Sequence, residues 1–372
     1  MRDFEYDALP GHVVFGAGSA RTRLIEALDR VGAKRVLLVA GGAEAALADR
    51  LTDPVSDRIA GRFTEVRQHV PTETALAARR AADEAGADAI LSIGGGSTTG
   101  AAKAIALTSG LPIVAVPTTY AGSEATPVWG ITEGRRRTTG RDPRVLPRVV
   151  IYDPELTLTL PPGITAMSGI NALAHSVEAF WAPGANPITT LIAEESIRAL
   201  ADGLPAVLDA PEDVDARSRV LYGAWLAGTA FAVAGSSLHH KVCHVLGGAF
   251  DLPHAEVHAV MLPHTAALAA SAVPGAGARI VSALDAPDQP VGPTLATLTR
   301  DRLHAPASLR EIGLREDQLE DAVERVLEQV PAQPVALDRE GVRAFLRAAF
   351  DGAIPIPAPT RNPTSTPIQT RT

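Results

Sequence analysis

Apolar runs rich in β-branched residues recur through the first part of the chain, at His12–Phe15, Arg35–Val39, Ala89–Ile93, Ile113–Val116 and Val149–Tyr152. Each is too short for a helix and reads as a strand covered on both faces. Between them lie Ser19–Val31, Glu73–Ala85 and Thr98–Ser109, with apolar residues three and four apart, the spacing of a helix with one face on a core. Strands alternating with helices predict an α/β domain with a doubly wound, parallel sheet over residues 1–155. Ligands of such sheets sit at the carboxyl ends of the strands, so the loops after Phe15, Val39, Ile93 and Val116 are where chemistry is expected.

After Asp153-Pro154 the strand pattern disappears. Helical spacing dominates Thr165–Trp181, Pro187–Leu208, Asp213–Val233, Ser237–Ala249 and Val257–Ser271. It continues with interruptions through Gly277–Ala286, Pro293–Leu303 and Glu316–Gln329 to Asp338–Phe350, with prolines and glycines in the turns. Residues 156–352 are therefore expected to form an all-α second domain. Residues 353–372 are rich in proline and threonine without any period and read as a flexible tail.

Composition narrows the function classes. The 372 residues are 46% hydrophobic and 20% charged, an ordinary globular balance with room for two cores. A net charge of −8 and only 4% aromatic residues argue against a nucleic-acid partner, which needs cationic surface and stacking platforms. No apolar run spans a bilayer, and the first seven residues carry three acids and no apolar stretch. Neither a membrane segment nor a secretory signal is expected, and the predicted location is cytoplasmic. The single cysteine, Cys243, excludes an intramolecular disulfide and any multi-cysteine metal site. Three of the 34 basic residues are lysines: Lys34, Lys103 and Lys241. A lysine kept against so strong an arginine bias marks a position worth following.

Two regions carry candidate chemistry. The first is Gly94-Gly95-Gly96-Ser97-Thr98-Thr99-Gly100, which follows one strand and opens one helix. Glycines there let a pyrophosphate approach the exposed amides of the helix start, although the spacing G-x-G-x-x-x-G departs from the usual dinucleotide fingerprint. A polar loop, Thr118-Thr119-Tyr120-Ala121-Gly122-Ser123, follows the next strand, and its Thr118, Thr119 and Ser123 hydroxyls suit ribose or phosphate oxygens. Gly41, after Val39, completes the predicted nucleotide site. No acid stands directly at that strand's end to grip a ribose 2′-OH, Glu44 lying slightly further on, so either NADH or NADPH is expected to bind.

The second region is histidine-rich: seven of ten histidines fall between His175 and His264. Asn171 and His175 are four apart and share one helix face, and His240 and His244 repeat that spacing, with His254 just beyond. Imidazoles converging in this way ligate a metal, move protons or donate to an anion. His12, His69, His239, His258, His264 and His304 read as ordinary packed or surface histidines.

The triglycine turn, Pro117–Glu124, Trp129–Thr132, Thr139–Arg144, Ile151–Pro154, Ser168–Glu178 and His239–His264, in that order and spacing, resemble the iron-containing alcohol dehydrogenase superfamily. Within it the chain is most similar to the maleylacetate reductases. The resemblance covers about residues 5–350. It implies a dehydroquinate synthase-like fold, a homodimer, a small dicarboxylate substrate and NAD(P)H-dependent reduction of a conjugated C=C bond in aromatic-compound degradation. In metal-dependent members an aspartate and three histidines hold iron or zinc; those positions correspond to Asn171, His175, His240 and His254. An amide in place of the carboxylate removes the site's negative charge, so no metal is expected. The same resemblance leaves a metal-dependent alcohol or polyol dehydrogenase as the alternative. Without a metal, His244 and His254 are expected to donate to the enolate or supply its proton, with His175, His240 and Asn171 completing the pocket. Lys241 is expected to face a substrate carboxylate.

Overall fold

The computed structural model describes residues 4–9, 11–134, 136–330 and 334–354. Eight strands are present among them: β1 (His12–Phe15), β2 (Val36–Val39), β3 (Ile59–Phe63), β4 (Ala89–Gly94), β5 (Ile113–Pro117), β6 (Val128–Glu133), β7 (Arg136–Arg141) and β8 (Val149–Tyr152). Six of them form one parallel sheet in the order β1-β8-β5-β4-β2-β3, while β6 and β7 form a separate antiparallel hairpin. Helices α1 (Ser19–Thr22), α2 (Leu24–Arg30), α3 (Ala45–Thr52), α4 (Thr72–Ala85) and α5 (Gly96–Ser109) accompany the sheet.

Period-2 alternation sorts the strand residues onto two buried faces. Leu37, Val39, Ile90, Ile113 and Ala115 pack with Ala78, Ala82, Ala101 and Ile105 of α4 and α5. Val36, Leu38, Leu91, Ile93, Val114 and Val116 pack with Leu24, Leu28, Ala48 and Leu51 of α2 and α3. The chain moves outward from β2 to β3 and then back through β4 and β5, so the winding reverses between β2 and β4, where a crevice opens at the carboxyl edge.

The rest of the described chain is helical: α6 (Pro162–Glu178), α7 (Pro187–Asp209), α8 (Val214–Ala234), α9 (Leu238–Phe250), α10 (His254–Ala272), α11 (Ala276–Ala283), α12 (Val291–Ala296), α13 (Leu319–Gln329) and α14 (Arg339–Asp351). Asn186 starts α7 with a capping box and Asp213 caps α8 through two backbone amides, which fixes both starts. One hydrophobic core runs from the α4–α5 face of the sheet through Tyr120 and Tyr152 into α6–α10 and onward to α14.

The sequence pattern missed β3, α3 and the hairpin. β3 reads Ile-Ala-Gly-Arg-Phe on the sheet edge, where a register shift against β2 and a half-exposed face dilute the apolar signal. The hairpin strands carry arginines, threonines and glycines and bury little. Ser19–Val31 breaks into two helices at Arg23. The tail expected over 353–372 falls, beyond Ile354, outside the described residues. Among the described residues no single helix is long and apolar enough to cross a membrane.

Candidate active site

Gly94 ends β4 at φ +148°, a conformation that a side chain disfavours, and Gly95 is the N-cap of α5. With no capping side chain, the first amides of α5 are left open towards the crevice. A Cβ on Gly95 would come within 2.9 Å of Thr119 Cγ2, and one on Gly96 within 3.1 Å of Ala121 Cβ. The triglycine turn and the Thr118–Ala121 loop therefore lie against each other at the carboxyl ends of β4 and β5, with Ser97, Thr118 and Thr119 at the same edge. Both the cradle and its uncapped amides suit a dinucleotide pyrophosphate.

Gly41 stands at the end of β2. A short helical turn over Gly42–Glu44 folds a carboxylate back, so that a Cβ on Gly41 would lie 2.9 Å from Glu44 Oε2. An acid does stand at the tip of β2. Ser123 sits further along its loop, where its carbonyl accepts from Lys103 Nζ at 2.6 Å.

Lys103 explains its retention. It is fully buried on α5 and also donates to the Thr126 carbonyl at 2.8 Å, Thr126 Oγ1 at 3.1 Å and the Val128 carbonyl at 2.8 Å. Burial pulls its pKa down to about 7, with buried Glu124 acting in the opposite sense. Glu124 in turn accepts from Tyr152 Oη at 2.9 Å. These bonds tie the base of the hairpin to α5.

The histidines gather because the chain reverses over Asp251–Pro253, with Asp251 in the left-handed region, and lays the start of α10 beside α9. His244 and His254 stack with ring centroids 6.0 Å apart, and both are open to the cleft. His175, on α6, stacks on His240 at 4.8 Å and meets the Phe231 ring of α8 at 4.4 Å, tilted by 35°. Asn171 lies one turn before His175, half-buried. Lys241 is exposed on α9 between His240 and His244 and has no acid partner among the described residues. The cleft joins the nucleotide end through α8, where Gly228 touches the Gly122 backbone one turn before Phe231.

Four further residues join the site that the sequence pattern does not mark. Glu178, fully buried, accepts from the His240 backbone amide at 3.3 Å and lies 2.5 Å from His240 Nδ1. Its position three residues after His175 on one helix face was the available signal. His239 and His258 lie inside the cluster as packed residues: His239 Nε2 meets His258 Nδ1 at 3.0 Å and His239 Nδ1 meets Thr265 Oγ1 at 2.9 Å. His69, from the loop before α4, brings its ring to 6.5 Å from His254.

Burial is the first cause that lowers every imidazole of the group, and mutual repulsion adds to it. His244 and His254 fall to about 4, His239 to about 3, and His175, His240 and His258 well below the ordinary value. At neutral pH these rings donate as neutral N–H groups, not as imidazolium ions. Burial raises Glu178, while His239 and the backbone amides of Ser237, His240 and His239 hold it down.

The family that the sequence resembles would place a cation among Asn171, His175, His240 and His254. His175 Nδ1 and His240 Nε2 are buried without partners, as a cation site leaves them. Yet the parallel, stacked rings of His175 and His240, with His254, do not bring three ligand atoms within 4.8 Å of one another, and Asn171 adds no charge. The group that does converge within that distance is His239, Cys243 and His258. Both His239 nitrogens and His258 Nδ1 are engaged with each other and Thr265, His258 Nε2 is buried without a partner, and burial keeps the Cys243 thiol protonated. The first set thus keeps unpaired donors that do not converge, and the second converges on a thiol that burial keeps protonated.

Comparison with known proteins agrees with this geometry. Residues 10–154 match the model of the iron-containing alcohol dehydrogenases and residues 165–350 the C-terminal model of the Fe-containing alcohol dehydrogenase family. Maleylacetate reductase 2 of Cupriavidus pinatubonensis is 47% identical over 95% of this chain and 99% of its own length. The maleylacetate reductase of Burkholderia cepacia is 45% identical over 95% and 100%. The crystal structure of maleylacetate reductase from Agrobacterium tumefaciens superposes with a TM-score of 0.91 at 43% identity, covering 95% of this chain and all of that one. A sheet wound for NAD(P), a helical body that carries the histidines, and whole-length similarity place this chain in the iron-containing alcohol dehydrogenase family, beside its maleylacetate reductases.

Proposed function

We propose that the protein is an NAD(P)H-dependent maleylacetate reductase that works through imidazole donors and not a metal, converting maleylacetate to 3-oxoadipate. One observation supports this most directly: His244 and His254, neutral and facing the cleft 6.0 Å apart, lie in a site whose carboxylate position is Asn171. Relatives 43–47% identical over 95% of the chain are named maleylacetate reductases.

Bound NAD(P)H supplies a hydride to the alkene carbon β to the ketone; the C=C electron pair shifts towards the carbonyl and leaves an enolate. The protein's work is to hold the substrate and steady that charge. His244 and His254 donate ring N–H groups to the enolate oxygen, and one of them relays a proton from water in the cleft to the α carbon, its second nitrogen taking up a proton as the first gives one away, so that the ring stays neutral. Phe231 and the stacked His175 and His240 wall the pocket on the α6 side, and Asn171 offers an amide N–H there. Glu178 fixes the orientation of the His240 ring by holding its Nδ1. Lys241 pairs with a substrate carboxylate at the cleft mouth. Glu44, at the tip of β2, favours NADH over NADPH by opposing a 2′-phosphate. A homodimeric, cytoplasmic enzyme of aromatic-compound degradation is the setting this reading carries with it.

The test is to mix the purified protein with freshly hydrolysed dienelactone and NADH, follow NADH absorbance, and measure bound metal. Steady NADH loss that persists in chelator, with metal far below one equivalent, is the expected result. Abolition by chelator and recovery with iron or zinc would instead identify a metal-dependent dehydrogenase.

A further inference from the structure

The hairpin holds a cation that the reaction, as derived so far, does not use. Arg137 lies on β7, opposite Thr132 of β6. Its guanidinium reaches across the hairpin and rests on Gly130: a Cβ there would meet Nε at 3.0 Å and Nη2 at 3.1 Å. Nη1 lies 3.2 Å from His69 Nδ1. Arginine only donates, so His69 Nδ1 accepts and the ring's proton sits on Nε2, a second donor beside the cleft. The His69 ring meets that of His254 edge-on, at 6.5 Å.

The His69 loop is built to this arrangement. His69 and Val70 are consecutive residues in the left-handed region, at φ 60° and 48°, a costly conformation for non-glycine residues that persists only when the surroundings hold it. The Thr132 amide donates to the Val70 carbonyl at 3.0 Å and Thr132 Oγ1 donates to the His69 carbonyl at 2.9 Å. Thr132 thus locks the loop beside the strand position that carries Arg137.

Arg137 has no carboxylate within ion-pair reach among the described residues, although other arginines find one readily: Arg279 meets Glu194 at 2.7 Å and Arg343 meets Glu320 at 2.7 Å. An unpaired guanidinium, laid flat by a glycine and flanked by a fixed imidazole N–H, presents the planar donor fork that carboxylates fit.

We propose that Arg137, with His69 Nε2–H, is a carboxylate-binding subsite of the cleft that recognises one terminal carboxylate of the substrate and so sets the preference for a dianionic enone. This rests on the dicarboxylate reading above. It assigns the hairpin, and not α9 alone, to substrate recognition.

The test compares wild type, Arg137→Ala and Gly130→Ala on maleylacetate and on its dimethyl ester, together with NADH affinity and thermal stability. If wild type does not reduce maleylacetate, the functional reading fails and this assay ends there. Given an active wild type, Arg137→Ala is expected to raise KM for the diacid about 10- to 100-fold, the loss of a charge-assisted pair. Its kcat and NADH affinity should stay within about threefold, and its ester KM should be unchanged. Gly130→Ala keeps the charge but displaces the guanidinium, and is expected to raise the diacid KM by a smaller factor at unaltered melting temperature. An unchanged diacid KM in Arg137→Ala, or an equal rise for diacid and ester, would overturn the assignment.

Discussion

His254 opens to the cleft with its ring neutral at physiological pH. Replacing it with alanine should lower kcat about 10²- to 10⁴-fold, the usual contribution of a positioned proton donor. NADH affinity, measured by fluorescence titration, should stay within about threefold; a parallel loss of both would assign His254 to cofactor binding. Glu44 allows a separate test at the other end of the cleft. Glu44→Gln removes the charge folded over Gly41 and should lower KM for NADPH about tenfold while leaving NADH nearly unaffected. His175, His240, His244 and His254 were legible in the sequence because helical spacing and sequence proximity both announced them. Glu178 and His69 were not. A carboxylate that orients a histidine has no spacing rule of its own, and His69 meets His254 only after a sheet and a helical body have packed together.

Elements carry the polar groups to their places. The buried Lys103 donates to three carbonyls at the root of the β6–β7 hairpin, so the hairpin's position over the cleft depends on α5. Lys103→Met should leave those acceptors unmet at about 1–3 kcal/mol each. It should lower the melting temperature and loosen the hairpin, read as faster amide exchange over Val128–Arg141. Protection equal to wild type in that segment would show that the hairpin stands without the lysine. The retention of Lys103 amid so many arginines was visible in composition; its partners were not, since they are backbone carbonyls that no side-chain pattern encodes. The hairpin itself escaped for a related reason. Its strands bury little, so the hydrophobic alternation by which β1, β2, β4, β5 and β8 stood out is absent.

At the scale of the molecule, the buried imidazoles tie stability to acidity. His175, His239, His240 and His258 have folded-state pKa values below the ordinary value of 6.5, so the unfolded chain binds protons that the folded chain refuses. Their stabilisation is complete above about pH 6.5 and is lost as pH falls towards the folded values, at about 1.4 kcal/mol per pH unit for each group. A melting temperature flat above pH 7 and dropping steeply between pH 6.5 and 4 is expected, and the steepness should diminish in His239→Gln. The parallel sheet and helical body were readable from periodicity. Their fusion was not: the core that joins Tyr120 and Tyr152 to α6–α10 comes from residues far apart in sequence.

Lysine scarcity has a practical consequence. With Lys103 sealed inside α5, the exposed ε-amines belong to Lys34, ahead of β2 at the amino edge of the sheet, and Lys241, beside the cleft. A Lys241→Arg variant would leave amine-reactive supports one side-chain anchor, on the face remote from the histidines. Molecules coupled through Lys34 would share one orientation, with their openings turned to the solution.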